Sequence, residues 1–159
     1  MISRKFWQNK KVLVTGVSFI GSHLVDKLVE LGSDVRIVNL TKKHLPNFKT
    51  HVDKKRVEFY TRDLRDLRQA KKSVKDMDII FHLACDHGGR GYVDLHQGAT
   101  SSNFLLDGSV FWAGLKEGVE KIVFASSVFL TSPAIGCVVF NWSHLYPQPF
   151  PKLKARFIS

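Results

Sequence analysis

Only two cysteines, Cys85 and Cys137, stand among the 159 residues, without a CxxC or a Cys/His ligand spacing. That excludes a disulfide-stapled scaffold and a zinc site built on cysteine pairs. It makes a reducing cytoplasm the expected location. No apolar run reaches the roughly 18 residues that a membrane-crossing helix needs. "MISRKFWQNKK" also lacks the apolar stretch of a signal peptide. Acidic side chains are few, 14 against 24 Lys plus Arg, for a formal net charge of +10. Such a deficit favours anionic partners: phosphate-bearing small molecules, nucleic acid or a membrane surface. The cations are spread out, with denser groups at Lys42–Lys43, Lys54–Lys55–Arg56 and Lys71–Lys72. Solvated helix and loop faces are therefore the plainer reading. Proline is nearly missing from the first four fifths of the chain: only Pro46 precedes Ser127, and four of the five follow it.

What is present is a globular composition, 44% hydrophobic with 12 Phe and 3 Trp, sized for one domain. Strand-like and helix-like segments alternate. "KVLVTG" reads as a buried parallel strand. A helix follows with Ile20, Leu24, Leu28 and Leu31 on one stripe, closed by Gly32. "DVRIVNL" and "RVEFYTRDL" are the next strands, separated by a basic loop carrying Pro46. Asp66 is placed to cap a helix over Leu67, Ala70, Val74 and Met77. "MDIIFHLA" is a fourth strand, "CDHGGRGYV" a polar loop, Ser102 to Lys116 a long helix ending near Gly118, and "EKIVFASS" a fifth strand. Helices between parallel strands predict a doubly wound α/β sheet in three layers, Rossmann-like. The predicted domain covers residues 1–140, with "GCVVFNW" as one more strand. Residues 141–159 read as an irregular tail.

The first strand runs into "TGVSFIGSHL". Glycines at such a strand–turn–helix junction let the backbone approach a pyrophosphate, with the helix N-terminus facing it. Gly16 would make the tight turn and Gly21 the close helix packing. Val17, Ser18 and Phe19 fall where a middle glycine is usual.

"TGVSFIGSHLVDKL" resembles the "TGxxGFIGxxL" opening of the extended short-chain dehydrogenases, the NAD-dependent nucleotide-sugar epimerases and dehydratases. The likeness runs in register over residues 10–127, through "RDL", "FHLA", Asn103 and "GVEKIVFASS". It implies a cofactor site formed by Gly16, Ser18, Phe19, Ile20 and Gly21 at the pyrophosphate. Asn39 would lie at the ribose, and Asp63 and Leu64 beside the adenine. Leu83 and Ala84 would lie against the cofactor, and Asn103 would open the following main helix. Ser127 is implied as the substrate-facing hydroxyl of a hydride-transfer site. NAD is the implied cofactor, a nucleotide sugar the substrate, and a homodimer the assembly through the helices after strands four and five. Phe104, Phe111 and Trp112 on the long helix divide between core and such an interface. "HGGRG" is similar to the loop of members acting on GDP-mannose-type sugars.

Three departures stand beside the likeness. The turn lacks the middle glycine and is one residue short, which removes up to about 3.5 Å of reach. The acid expected at the end of strand two is Asn39, which bonds a hydroxyl without adding charge. With Arg36, Lys42 and Lys43 near in sequence, NADP is open as well as NAD. The Tyr-x-x-x-Lys acid/base pair is missing: the residues at +4 from Tyr60, Tyr92 and Tyr146 are Leu64, His96 and Phe150. Such losses, with an unfamiliar tail after "FASS", are the pattern expected of a truncated, frameshifted or engineered reading frame, which resequencing would test. The expected activity is dinucleotide binding by a catalytically incomplete oxidoreductase domain. A non-catalytic nucleotide-binding module is the first alternative. A basic scaffold for nucleic acid ranks last, because the aromatic–basic interleaving of RNA binders is missing. His82, His87 and His96 fit no metal-ligand spacing. Asp86, His87 and Ser127 carry no nucleophile elbow, so a hydrolytic triad is not expected.

Overall fold

The computed structural model describes residues 4–43, 57–125 and 138–140. The Pro46 loop, Cys137, Ser127 and the tail lie outside the described residues. The elements run α1 (Arg4–Trp7), β1 (Lys11–Thr15), α2 (Phe19–Glu30), β2 (Asp34–Asn39), β3 (Val57–Thr61), α3 (Leu67–Val74), β4 (Ile79–His82), α4 (Arg90–Leu95), α5 (Gln97–Ser101), α6 (Asn103–Glu117), β5 (Lys121–Phe124) and β6 (Val138–Phe140). The sheet order is β3-β2-β1-β4-β5-β6. The first five strands pair in parallel, and β6 pairs antiparallel with β5, Val123 opposite Val139.

Alternation along the strands makes two cores. Val12 and Val14 of β1 face one side, with Ile37, Ile79 and Val25 and Leu28 of α2. Leu13 faces the other, with Ile80, Ile122, Ala70 and Val74 of α3 and Val110 and Ala113 of α6. Both faces of the sheet are thus covered, giving the three-layer α/β architecture.

Most helix expectations hold. Asp66 caps α3 by accepting from the Arg68 amide at 2.7 Å. The long helix ends at Gly118, which turns left-handed at φ +72°. Two details differ. The core-facing stripe of α2 is Gly21, Val25 and Leu28, while Ile20 is 72% exposed. Ile20 sits in the first turn, beyond the edge of the sheet that the helix packs on. The loop after β4 is partly helical, as α4 and α5. The aromatic residues of α6 divide: Phe111 packs on the core, whereas Phe104 and Trp112 face outward.

Candidate nucleotide-binding cleft

All five parallel strands point their C-terminal ends to one edge. The order reverses between β1 and β4, the switch point at which open α/β sheets leave a crevice. A cleft of about 560 Å³ lies there, within the ~300–1,000 Å³ range of small-molecule sites. Its walls are the segments after β1 (Gly16–Ser18), β2 (Leu40, Thr41), β3 (Arg62–Arg65) and β4 (Leu83–His87), closed by Ser102, Asn103 and Leu106.

The β1–α2 turn is built on Gly16. Its φ is +67°, and a Cβ there would lie 2.2 Å from the Ala84 Cα. Only glycine lets this turn pass so close to the end of β4. The Gly16 amide donates to the Val38 carbonyl at 3.0 Å. Val17 then tucks inward, 1% exposed, with its methyl groups 3.1–3.3 Å from where a Cβ on Gly21 would stand. Gly21 therefore serves packing and does not line the cleft. Ser18 is the residue before α2 and lines the cleft, with no side-chain bond to the helix. The first N–H groups of α2 have no helical acceptor, and the helix begins at the rim of the cleft, directly after Ser18.

The other sequence-predicted residues divide. Asp63, Leu64, Leu83, Ala84 and Asn103 line the cleft. The Phe19 and Ile20 side chains do not: they stand 78% and 72% exposed, with Phe19 edge-on to His23. Asn39 lines the cleft but its carboxamide faces the turn. Its Oδ1 accepts from the Val17 amide at 2.7 Å, and its Nδ2 donates to the Val17 carbonyl at 2.9 Å. Ser127 lies outside the described residues.

Asn103 uses the same device on the β4 side. Its Oδ1 accepts from the Asp86 amide at 2.7 Å, and its Nδ2 donates to the Asp86 carbonyl at 2.9 Å. Beneath it a buried chain ties the layers together. The Ala84 amide donates to Thr15 Oγ1 at 3.3 Å, Thr15 Oγ1 lies 2.6 Å from His82 Nδ1, and His82 Nε2 lies 3.1 Å from Asp107 Oδ1. His82 is fully buried and its ring stacks on Phe124. Its partners are structural. Among the described residues, no group of three His, Cys, Asp or Glu is placed to hold a metal ion.

The sequence reading did not single out Arg65. Its guanidinium grips both carboxylate oxygens of Asp63, at 2.9 Å from Nε to Oδ1 and 2.7 Å from Nη2 to Oδ2, holding Asp63 below its ordinary acidity range. The "RDLR" spacing is the signal that was available. Behind the cleft residue Asp86, the Tyr92 hydroxyl donates to its carboxylate at 3.0 Å, and that bond raises the phenol's pKa. Partial burial, with Asp107 and Asp86 nearby, raises the Cys85 thiol.

A family model described as the NAD dependent epimerase/dehydratase family matches residues 12–134. A putative UDP-glucose 4-epimerase of Methanocaldococcus jannaschii is 37% identical over 119 residues, 73% of this chain and 37% of that protein. A GDP-mannose 3,5-epimerase of Arabidopsis thaliana is 28% identical over 127 residues, 77% of this chain and 33% of its own length. Among solved structures, an epimerase of Methanothermobacter thermautotrophicus superposes with a TM-score of 0.68 at 29% identity, covering 78% of this chain and 37% of that one. The UDP-glucose 4-epimerase of Bifidobacterium longum, solved with NAD+ and UDP, gives 0.63 at 25% identity, covering 74% and 37%. The chain therefore spans little more than a third of the length of these relatives.

Proposed function

The chain belongs to the NAD dependent epimerase/dehydratase family, and from that premise we propose that its cleft binds NAD(H). The observation that carries this reading is the Gly16 turn. It brings the open end of α2 to the switch point of the sheet, within reach of the Asp63 wall. Gly16, Ser18 and the backbone of Phe19 and Ile20 receive the pyrophosphate, and Gly21 keeps α2 close enough to the sheet for them to do so. Asp63 and Leu64 flank the adenine, Leu83 and Ala84 form the floor beneath the dinucleotide, and Asn103 holds the β4 loop around it. Asn39 sits beside the ribose without a charge, so a 2′-phosphate meets no carboxylate there and NADP(H) is admitted too. When bound, the dinucleotide supplies a hydride acceptor. The chain's own residues seat it, and Ser127 is the hydroxyl offered to a nucleotide-sugar substrate.

Turnover is a separate matter. No Tyr-x-x-x-Lys occurs in the sequence. The reading is therefore of a nucleotide-binding domain without turnover of its own. The outward faces of Phe104 and Trp112 suit a second copy of the chain. A cytoplasmic location fits the cysteine usage, and among the described residues no helix is long and apolar enough to cross a membrane.

Calorimetric titration of the purified chain with NADH and NADPH tests this. Saturable binding of one equivalent, weakened at least tenfold by Asp63→Ala, is the expected outcome. No heat from either cofactor, while a variant with glycine inserted between Ser18 and Phe19 binds, would show a fold that has outlived its site.

A further inference from the structure

The two departures at the turn and at the end of β2 meet in one pair of hydrogen bonds. We propose that Asn39 is a positioning residue of the shortened turn. On this view its carboxamide holds Val17 where a longer turn needs no such tie, and the missing acid was exchanged for that grip. The inference deepens the reading of the cleft as a dinucleotide site and rests on it for the ligand.

Val17 is 1% exposed and Asn39 6%. The Val17 amide and carbonyl are therefore both cut off from water, and a buried backbone group without a partner is costly. Asn39 satisfies both at once, at 2.7 and 2.9 Å. A carboxamide presents a donor and an acceptor side by side. Flipping it would set donor against donor. A carboxylate would still accept from the amide, but its second oxygen would face the Val17 carbonyl oxygen. The grip is continuous with the Gly16 amide on the Val38 carbonyl. Two successive turn residues are thus fastened to two successive residues of β2, and the next residue, Ser18, lines the cleft as α2 begins. An Asn that merely replaced the ribose ligand would leave its carboxamide turned outward.

The test uses the full chain with Asn39→Asp, Asn39→Ala, and Asn39→Asp combined with glycine inserted between Ser18 and Phe19. Thermal midpoints and NADH titrations are read at neutral and mildly acidic pH. The charged groups on the same cleft, Arg62, Asp63, Arg65, Asp86 and His87, are common to every variant. The unmodified chain's own pH series is therefore subtracted. At neutral pH, Asn39→Asp should lower the midpoint by roughly 5 °C or more. It should also weaken NADH at least tenfold, although it supplies an acid beside the ribose. Both losses should shrink on acidification, as the new carboxyl takes a proton and donates to Val17. Asn39→Ala should show no such recovery. The inserted glycine should restore NADH binding to Asn39→Asp at neutral pH.

An Asn39→Asp chain with an unchanged midpoint and equal or tighter NADH binding would overturn the proposal and make the position a ribose ligand. Equal losses in Asp and Ala variants at both pH values would overturn it too. If the unmodified chain binds no NADH, the dinucleotide reading falls, while the midpoint series still decides whether Asn39 grips the turn.

Discussion

Single residues decide whether the cleft exists. Gly16 is the most constrained of them, because its added Cβ would meet the Ala84 backbone and its φ is left-handed. Gly16→Ala should cost about 3 kcal/mol or more through strain and displacement of β4. It should also abolish NADH binding, checked by urea unfolding and titration. Gly21→Ala meets only the Val17 side chain, at 3.1 Å, and should be milder in both. Asp63 sets a pH dependence. Its folded pKa lies below the ordinary 3.8 because Arg65 bonds it. Its contribution is thus present above 3.8 and lost as pH falls through the folded value. Thermal midpoints of the unmodified chain should drop in that window more steeply than those of Asp63→Asn. The effect should be small, since both partners are more than a third exposed, 40% and 36%, and screened by water.

Helices and strands place those residues, and most of these elements were legible. The five parallel strands, the long helix, its Gly118 stop and the Asp66 cap follow from apolar runs, helical spacing and capping chemistry. The stripe on α2 holds at Leu24 and Leu28 and fails at Ile20; Gly21, with no side chain, carries no hydrophobic signal yet lies on the buried face. The short α4 was hidden because "CDHGGRGYV" is glycine-rich, and it is tied to the preceding loop by the Tyr92 hydroxyl on Asp86. Gly114 shows how tightly α6 sits on the sheet: a Cβ there would lie 2.7 Å from the Ile122 Cδ1 and 3.4 Å from the Ile80 Cδ1. Gly114→Val should therefore destabilise by about 1–3 kcal/mol through overpacking. It should lower the urea midpoint at an unchanged slope and, lying about two turns along α6 from the cleft residue Leu106, leave NADH affinity nearly as before.

At the scale of the molecule, two cores clamp one sheet and leave its C-terminal edge open. Incubating the chain with NAD and UDP-glucose or GDP-mannose should return the sugar nucleotide unchanged by NMR. An epimerised product would reveal an acid/base pair other than Tyr-x-x-x-Lys. NADH affinity should fall with salt only modestly, because a dinucleotide carries few phosphates. A steep logarithmic fall with nucleic acid and none with NADH would favour the polyanion scaffold. The place of the cleft and eight of its nineteen lining residues could be read from the turn, the end of β2, "RDL", "FHLA" and Asn103. The inward turn of Asn39 could not, because no spacing rule says which way a carboxamide at the end of a strand will face. That orientation has a consequence for redesign. Positions 17 and 39 are 22 residues apart in the chain yet share two hydrogen bonds. On the proposed reading they form one design unit, so an acid at position 39 is to be introduced together with a longer turn rather than by itself.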